Sequence, residues 1–197
     1  MESKKLYRWE LQDVILISMI CIVFGVVYLV AVYAATFLGT LFAPFGLTPL
    51  GNELVFGIWF MAATLAPYII QKPGVAIIAE ILAALIEVLL GNWFGPMVIV
   101  SGLIQGAGAE AVFAFYKYER FDRNVMVQAA IGCCITGFLW SFVRSGYLLF
   151  SVPLILFFFV VRVLSSVLFA GLLSQNIGDS LVRTGLMKGY ALGRSDD

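Results

Sequence analysis

Residues 14–42 read VILISMICIVFGVVYLVAVYAATFLGTLF, a run with no charged side chain. A helix needs about 20 mostly apolar residues to cross a bilayer. This run exceeds that length, and it is too long for the apolar core of a secretory signal, so no cleavable leader is expected. Five more apolar runs follow, at about 50–70, 75–90, 97–116, 125–143 and 148–173. Their breaks carry turn chemistry: Gln71-Lys72-Pro73-Gly74, then Gly91-Asn92-Trp93-Phe94-Gly95-Pro96, then the polar segment from Lys117 to Asn124. The runs do not alternate polar and apolar, so barrel strands are excluded. The expected fold is an all-α membrane protein, a bundle of six spans in one domain over 1–197. A polar N-terminus (1–13) and a polar, Gly-rich tail (174–197) flank it. Pro67 is expected to kink the second span.

Composition agrees with this reading. Of 197 residues, 62% are hydrophobic and 12% charged. The mean hydropathy is +1.01. Soluble domains run about 45–50% apolar and about 25% charged. The net charge is zero, so no nucleic-acid partner is implied. The chain has no histidine, which excludes His-based triads and His metal sites. Cys21, Cys133 and Cys134 lie inside apolar runs and read as small packing residues.

Positive charge sets orientation. Lys4, Lys5, Arg8, Lys72, Lys117, Arg120, Arg123, Arg183, Lys188 and Arg194 share one side, ten of the twelve basic residues. Both termini are therefore expected in the cytoplasm, and the chain in a bacterial cell membrane as a multi-pass protein.

The few charges left inside the spans are costly, about 2.5–3.5 kcal/mol each at mid-bilayer on insertion scales. They are the first place to look for function. Glu80 and Glu87, seven apart, share one face of span three. Glu110 is expected on span four at a depth similar to Glu80, with Gln105 near mid-depth. Pairing with Arg144 or Arg162 would make any one of these carboxylates structural. As a set they outnumber those arginines, and the surplus suits a cationic or hydrogen-bond-donating ligand. Asn92 and Trp93 lie in a Gly/Pro-flanked outer break, and Trp59, Trp140 and Tyr147 fall toward outer halves or ends of spans. These aromatics suit either a cation–π contact with ligand or the interfacial belt. Ala31, Ala35 and Gly39 repeat at four-residue spacing on span one. Gly102 and Gly106 do so on span four and read as packing. No P-loop, HExxH, GxSxG or TVGYG is present. No cofactor is expected in this chain, and an energy source must be a gradient or a separate subunit.

The run AEILAALIEVLLGNWFGPMVIVSGLIQGAGAEAVFAFYKY, 79–118, resembles the substrate-binding membrane subunit (S component) of energy-coupling factor (ECF) transporters. The likeness is greatest to the type assigned to thiamine or its hydroxymethylpyrimidine precursor. The resemblance implies capture of a vitamin from outside. It implies docking to a T component driven by two ABC ATPases, which use the ATP. It implies that the Ala31/Ala35 pair, continued by Gly39, faces the T component. It also implies that carboxylate, amide and aromatic groups hold the ligand. This sequence departs from other thiamine-specific members in lacking histidine, and the family is remotely similar to cobalt permease components. Two other readings stay open: a stand-alone gradient-driven transporter using Glu80, Glu87 and Glu110 as a relay, and a membrane enzyme.

Overall fold

A computed structural model of the chain describes residues 8–187 and 189–194. Lys4, Lys5 and Lys188 of the charge count, and the outermost residues of both polar termini, lie outside the described residues. All regular structure among the described residues is helical. In chain order it comprises α1 (Leu11–Phe42), α2 (Leu50–Val55), a 3₁₀ stretch (Phe56–Phe60), α3 (Met61–Ile70), α4 (Val75–Leu89), α5 (Met97–Phe115), α6 (Arg123–Arg144), α7 (Val152–Ser166), a π-helical stretch (Val167–Leu173), α8 (Ser174–Arg183) and the short α9 (Ala191–Arg194).

α1 begins ahead of the expected residue 14. Asp13 accepts the Glu10 backbone N–H at 2.7 Å, so a carboxylate occupies the first turn, where the helix dipole favours it. α6 starts on Asp122, whose carboxylate accepts the N–H groups of Asn124 and Val125. The second apolar run has the expected bounds but is not one helix. It breaks at Phe56–Phe60, ahead of Pro67, and Pro67 lies within α3. At this break Gly57 presses on the backbone of Ser165 and Ser166 on α7 and donates its N–H to Ser165 Oγ at 3.0 Å.

The last span differs most from expectation. Tyr147–Leu149 forms a 3₁₀ turn, and the helix proper starts at Val152 with Pro153 in its first turn. It then continues through the π-helical stretch into α8, so the tail from Ser174 is helical as far as Arg183. Tertiary contacts hold this polar segment. Thr64 donates to Ser174 Oγ at 3.1 Å, Tyr68 donates to Asp179 at 2.5 Å, and Gly178 leaves room for the Tyr68 ring.

Among the described residues, five helical runs are long and apolar enough to cross a membrane: Leu11–Phe45, Leu50–Ile70, Met97–Phe115, Arg123–Arg144 and Val152–Arg183. α4 has 15 residues, about 22 Å of helix against a hydrocarbon core of about 30 Å. It nonetheless runs between the two ends of the bundle. At one end Lys72 pairs with Asp13, Gly74 bonds Glu110, and Tyr190 bonds the Gln12 carbonyl. At the other end lie the 43–49, 90–96 and 145–151 connections.

Small residues set how close the helices come. Gly102 and Gly106 on α5 lie against Glu80, Ala84, Ala76 and Ile77 of α4, and Gly108 meets Gly132 of α6. The stripe expected to face a partner subunit is instead turned inward. Ala31 and Ala35 are buried in the core, and Gly51 of α2 packs onto the Ala35 carbonyl and the Gly39 backbone. The physical reason is that α2 crosses α1 there at backbone contact, which a Cβ on residue 51 would block. The three cysteines are buried and free, and Cys21 Sγ donates to the Ala79 carbonyl at 3.3 Å.

Candidate functional site

Between the end carrying the 90–96 connection and the middle of the bundle lies a cavity of about 400 Å³, within the range of small-molecule sites. Its wall draws on every long helix. α4 gives Glu80, Ala84 and Glu87, two carboxylates brought to one wall by their heptad spacing. α5 gives Ser101 and Gln105. α6 gives Trp140 and Arg144, and Gly137 leaves the space that the Gln105 side chain fills. The break between α2 and α3 gives Phe56 and Trp59, and the remaining wall includes Tyr28, Asn52, Phe94, Tyr147 and Arg162.

The ionisable groups of the wall are not equivalent. Arg162 is committed to Glu53 of α2, with Nε to Oε2 and Nη2 to Oε1 both at 2.6 Å. Tyr147 donates its hydroxyl to the same carboxylate, and Ser141 accepts from Arg162 Nη1 at 3.0 Å. The guanidinium lies 3.7 Å from the Phe56 ring centre and 4.8 Å from that of Phe138. Glu53 is fully buried. The partner of Arg162 is therefore none of the three carboxylates first considered.

Glu80 is held from α1 and α3. Its Oε2 accepts from Tyr28 at 2.9 Å and from the Ala63 N–H at 3.0 Å, while Tyr28 accepts the Ala62 N–H at 3.0 Å. Those amides belong to the first turn of α3, which the 3₁₀ break exposes, and first-turn amides lack partners within their own helix.

Glu87 differs. Its Oε1 accepts from Asn92 Nδ2 at 2.9 Å, and Asn92 Oδ1 accepts the N–H groups of Phe94 and Gly95 at 2.7 and 3.1 Å. Asn92 thus stands behind the carboxylate and ties it to the connection over the cavity. The Trp59 indole N–H is directed at the Glu87 carboxyl without reaching full hydrogen-bond geometry, and the Arg144 guanidinium acts on it through its charge. Yet Oε2 of Glu87 is buried without a hydrogen-bond partner, the sole such side-chain oxygen or nitrogen among the described residues. A buried orphan acceptor costs about 1–3 kcal/mol unless something satisfies it.

Three expected site residues are not part of the cavity wall: Asn92, which stands behind Glu87, and Trp93 and Glu110, which lie away from it. Trp93 is 52% exposed, with its ring edge-on to Tyr33 at 4.9 Å, on the outside of the bundle. Glu110 is not at the depth of Glu80. It accepts the N–H groups of Gly74 and Ala76 at 2.6 and 3.1 Å and the Tyr118 hydroxyl at 2.7 Å, where α4 begins. Its carboxylate caps that helix. Wall residues that the sequence did not single out include Tyr28, Asn52, Phe56, Ser101 and Phe94. For Phe56 the reason is that a 3₁₀ break inside an unbroken apolar run leaves no sequence signal. Arg144 was visible as a charge but not as a wall residue.

A membrane bundle with an acidic, aromatic cavity near one end has the form of a solute-binding membrane subunit. The family model described as "ABC-type cobalt transport system, permease component" matches residues 12–136. The putative HMP/thiamine permease protein YkoE of Bacillus subtilis (strain 168) is 41% identical over 186 residues, 94% of this chain and 91% of that protein. A crystal structure of an S-component of ECF transporter is 40% identical, with a TM-score of 0.89 over 95% of this chain and 93% of that one. The chain belongs to the S-component family of ECF transporters, the substrate-binding membrane subunits, and is a multi-pass cell-membrane protein.

Proposed function

We infer that the cavity binds thiamine or its hydroxymethylpyrimidine precursor from outside the cell, for delivery inward with a T component and two ABC ATPases. The observation that carries this is the partnerless Oε2 of Glu87 on the cavity wall. An aminopyrimidine N–H or a thiazolium cation answers such an oxygen, and Trp59, Trp140, Phe56 and Phe94 offer faces to a flat heteroaromatic ring. The likeness to an HMP/thiamine permease supports the same ligand class. A metal ion is a poorer fit. Among the described residues no three of His, Cys, Asp and Glu gather as ligands.

In this reading the whole chain is one membrane domain. α4 is a sixth, short crossing, and both termini are cytoplasmic. The basic residues Lys72, Lys117, Arg120, Arg123 and Arg183 support that orientation, because they fall at the bundle end away from the cavity. The test is titration of purified protein with thiamine and hydroxymethylpyrimidine, read by quenching of Trp59 and Trp140. Saturable quenching that Glu87→Gln weakens about 10- to 100-fold supports the reading. No quenching by either compound overturns it.

A further inference from the structure

Once Arg162 is assigned to Glu53, the cavity wall retains two carboxylates, Glu80 and Glu87, and one cation, Arg144. Arg144 is unlike Arg162 in every respect that matters for a ligand. It has no carboxylate within ion-pair distance among the described residues. Its hydrogen bonds run to neutral acceptors and are long: Nη1 to Ser101 Oγ and Nη2 to the Phe94 carbonyl, each at 3.3 Å. A guanidinium carries five N–H donors in a planar fork. Arg144 is exposed at the rim of the cavity, so the donors not used here and these two weak bonds are open to an incoming oxygen. Arg144 also lies 5.5 Å from the Phe94 ring centre, so it is braced against the connection that covers the cavity. The wall is therefore two-ended. An orphan acceptor on α4 asks for an N–H or a cation, and an underused donor fork at the end of α6 asks for an oxygen.

We propose that Arg144 is a specificity-determining residue, which receives an oxygen acceptor of the ligand while Glu87 holds the ligand's donor end. This rests on the ligand reading above and goes beyond it. It states that the cavity selects a heteroaromatic that carries an amino or cationic group at one end and an oxygen at the other. Two sources supply that oxygen, a hydroxyl and a phosphate ester. Charge favours the hydroxyl. A phosphate would bring fixed negative charge close to the Glu87 carboxyl, against Arg144 as the one free cation among the described wall residues, whereas a hydroxyl brings none.

The experiment compares thiamine, thiamine monophosphate and the analogue in which ethyl replaces hydroxyethyl, on wild-type protein and on Arg144→Gln and Arg144→Lys. Ligand-free thermal unfolding of each variant reports folding separately. Wild-type protein is expected to bind thiamine about 10- to 100-fold more tightly than the ethyl analogue. Arg144→Gln is expected to bring that ratio close to one, and Arg144→Lys to restore part of it. Monophosphate binding tighter than thiamine, with a larger loss in Arg144→Gln, would assign the oxygen to a phosphate. A wild-type protein indifferent to the missing oxygen overturns the proposal without any variant. Equal losses for all three ligands in Arg144→Gln overturn it as well. Wild-type protein that binds none of the three overturns the thiamine reading, and this proposal with it.

Discussion

Arg162 and Glu53, 109 positions apart in the chain, meet as a two-pronged ion pair inside the bundle, both contacts at 2.6 Å and both side chains buried. Removing one partner from such a pair leaves an uncompensated buried charge, which costs about 3–5 kcal/mol. Arg162→Met is therefore expected to lower the unfolding temperature in detergent sharply, and Glu53→Gln likewise. The double variant is expected to recover much of the loss, since neither charge is then stranded. If each single variant unfolds like wild type, the pair is not the tie between α2 and α7 described above.

Glu87 and Glu110 separate binding from stability. Glu87→Gln removes a ligand-facing oxygen charge without removing any helix cap. Its unfolding temperature without ligand is expected to match or exceed that of wild type, with thiamine affinity lowered about 10- to 100-fold. Glu110→Gln acts the other way. One amide oxygen cannot serve Gly74, Ala76 and Tyr118 as two carboxylate oxygens do. A loss of about 0.5–2 kcal/mol in stability is expected, as for a weakened cap, with affinity unchanged. Calorimetric titration beside thermal unfolding checks both. Equal affinity loss in the two variants would show that Glu110 belongs to the cavity after all.

Gly57 offers a test of the break that shapes the cavity. A Cβ there would fall on the Ser165 carbonyl and the Ser166 backbone, and backbone cannot step aside as a flexible side chain can. Gly57→Ala is expected to move the Phe56–Phe60 stretch, and with it Phe56, Trp59 and the amides that hold Glu80. The loss should appear both in stability, about 1–3 kcal/mol, and in thiamine affinity. Gly95→Ala is the control. Its Cβ would meet nothing within 4 Å, and the cost is confined to its positive φ of 74°.

What was legible in the sequence was what has a period. The apolar runs gave the helices, and the seven-residue spacing of Glu80 and Glu87 put both on one wall, because a helix repeats its faces. Trp93 is in a loop, where no period tells which way a side chain turns, and it points out. Glu110 was misjudged because counting depth along α5 does not reveal where α4 starts beside it. The Ala31, Ala35 and Gly39 stripe announces a close helix contact but not with which helix, and α2 of the same chain claims it. Arg162 and Glu53 carry no joint signal in sequence, since their pairing exists only once α2 and α7 are packed. The helix beyond Ser174 was hidden by its polar composition, which tertiary bonds from Thr64 and Tyr68 compensate.

Asp122 gives a pH dependence with a definite sign. Its carboxyl is held below the usual range, first by the Arg120 guanidinium, whose Nη2 lies 2.7 Å from it, and then by the N–H groups of Val125 and Asn124 at the start of α6. A carboxyl depressed in the folded state binds fewer protons there than in the unfolded chain. Its stabilising contribution is thus present above the unfolded value, about 3.9, and is lost as pH falls through the lower folded value. Asn is an equally good N-cap but does not titrate. Wild type and Asp122→Asn are therefore expected to differ most above the unfolded value, near about pH 6, and to converge only as pH falls below the folded value. Asp122→Ala should lie about 1 kcal/mol below Asp122→Asn at every pH, because it lacks the cap itself. The group is exposed, so the wild-type advantage should also shrink in high salt. Unfolding temperatures of the three proteins across that pH range decide the matter. A gap between wild type and Asp122→Asn that widens toward low pH would contradict the assigned direction.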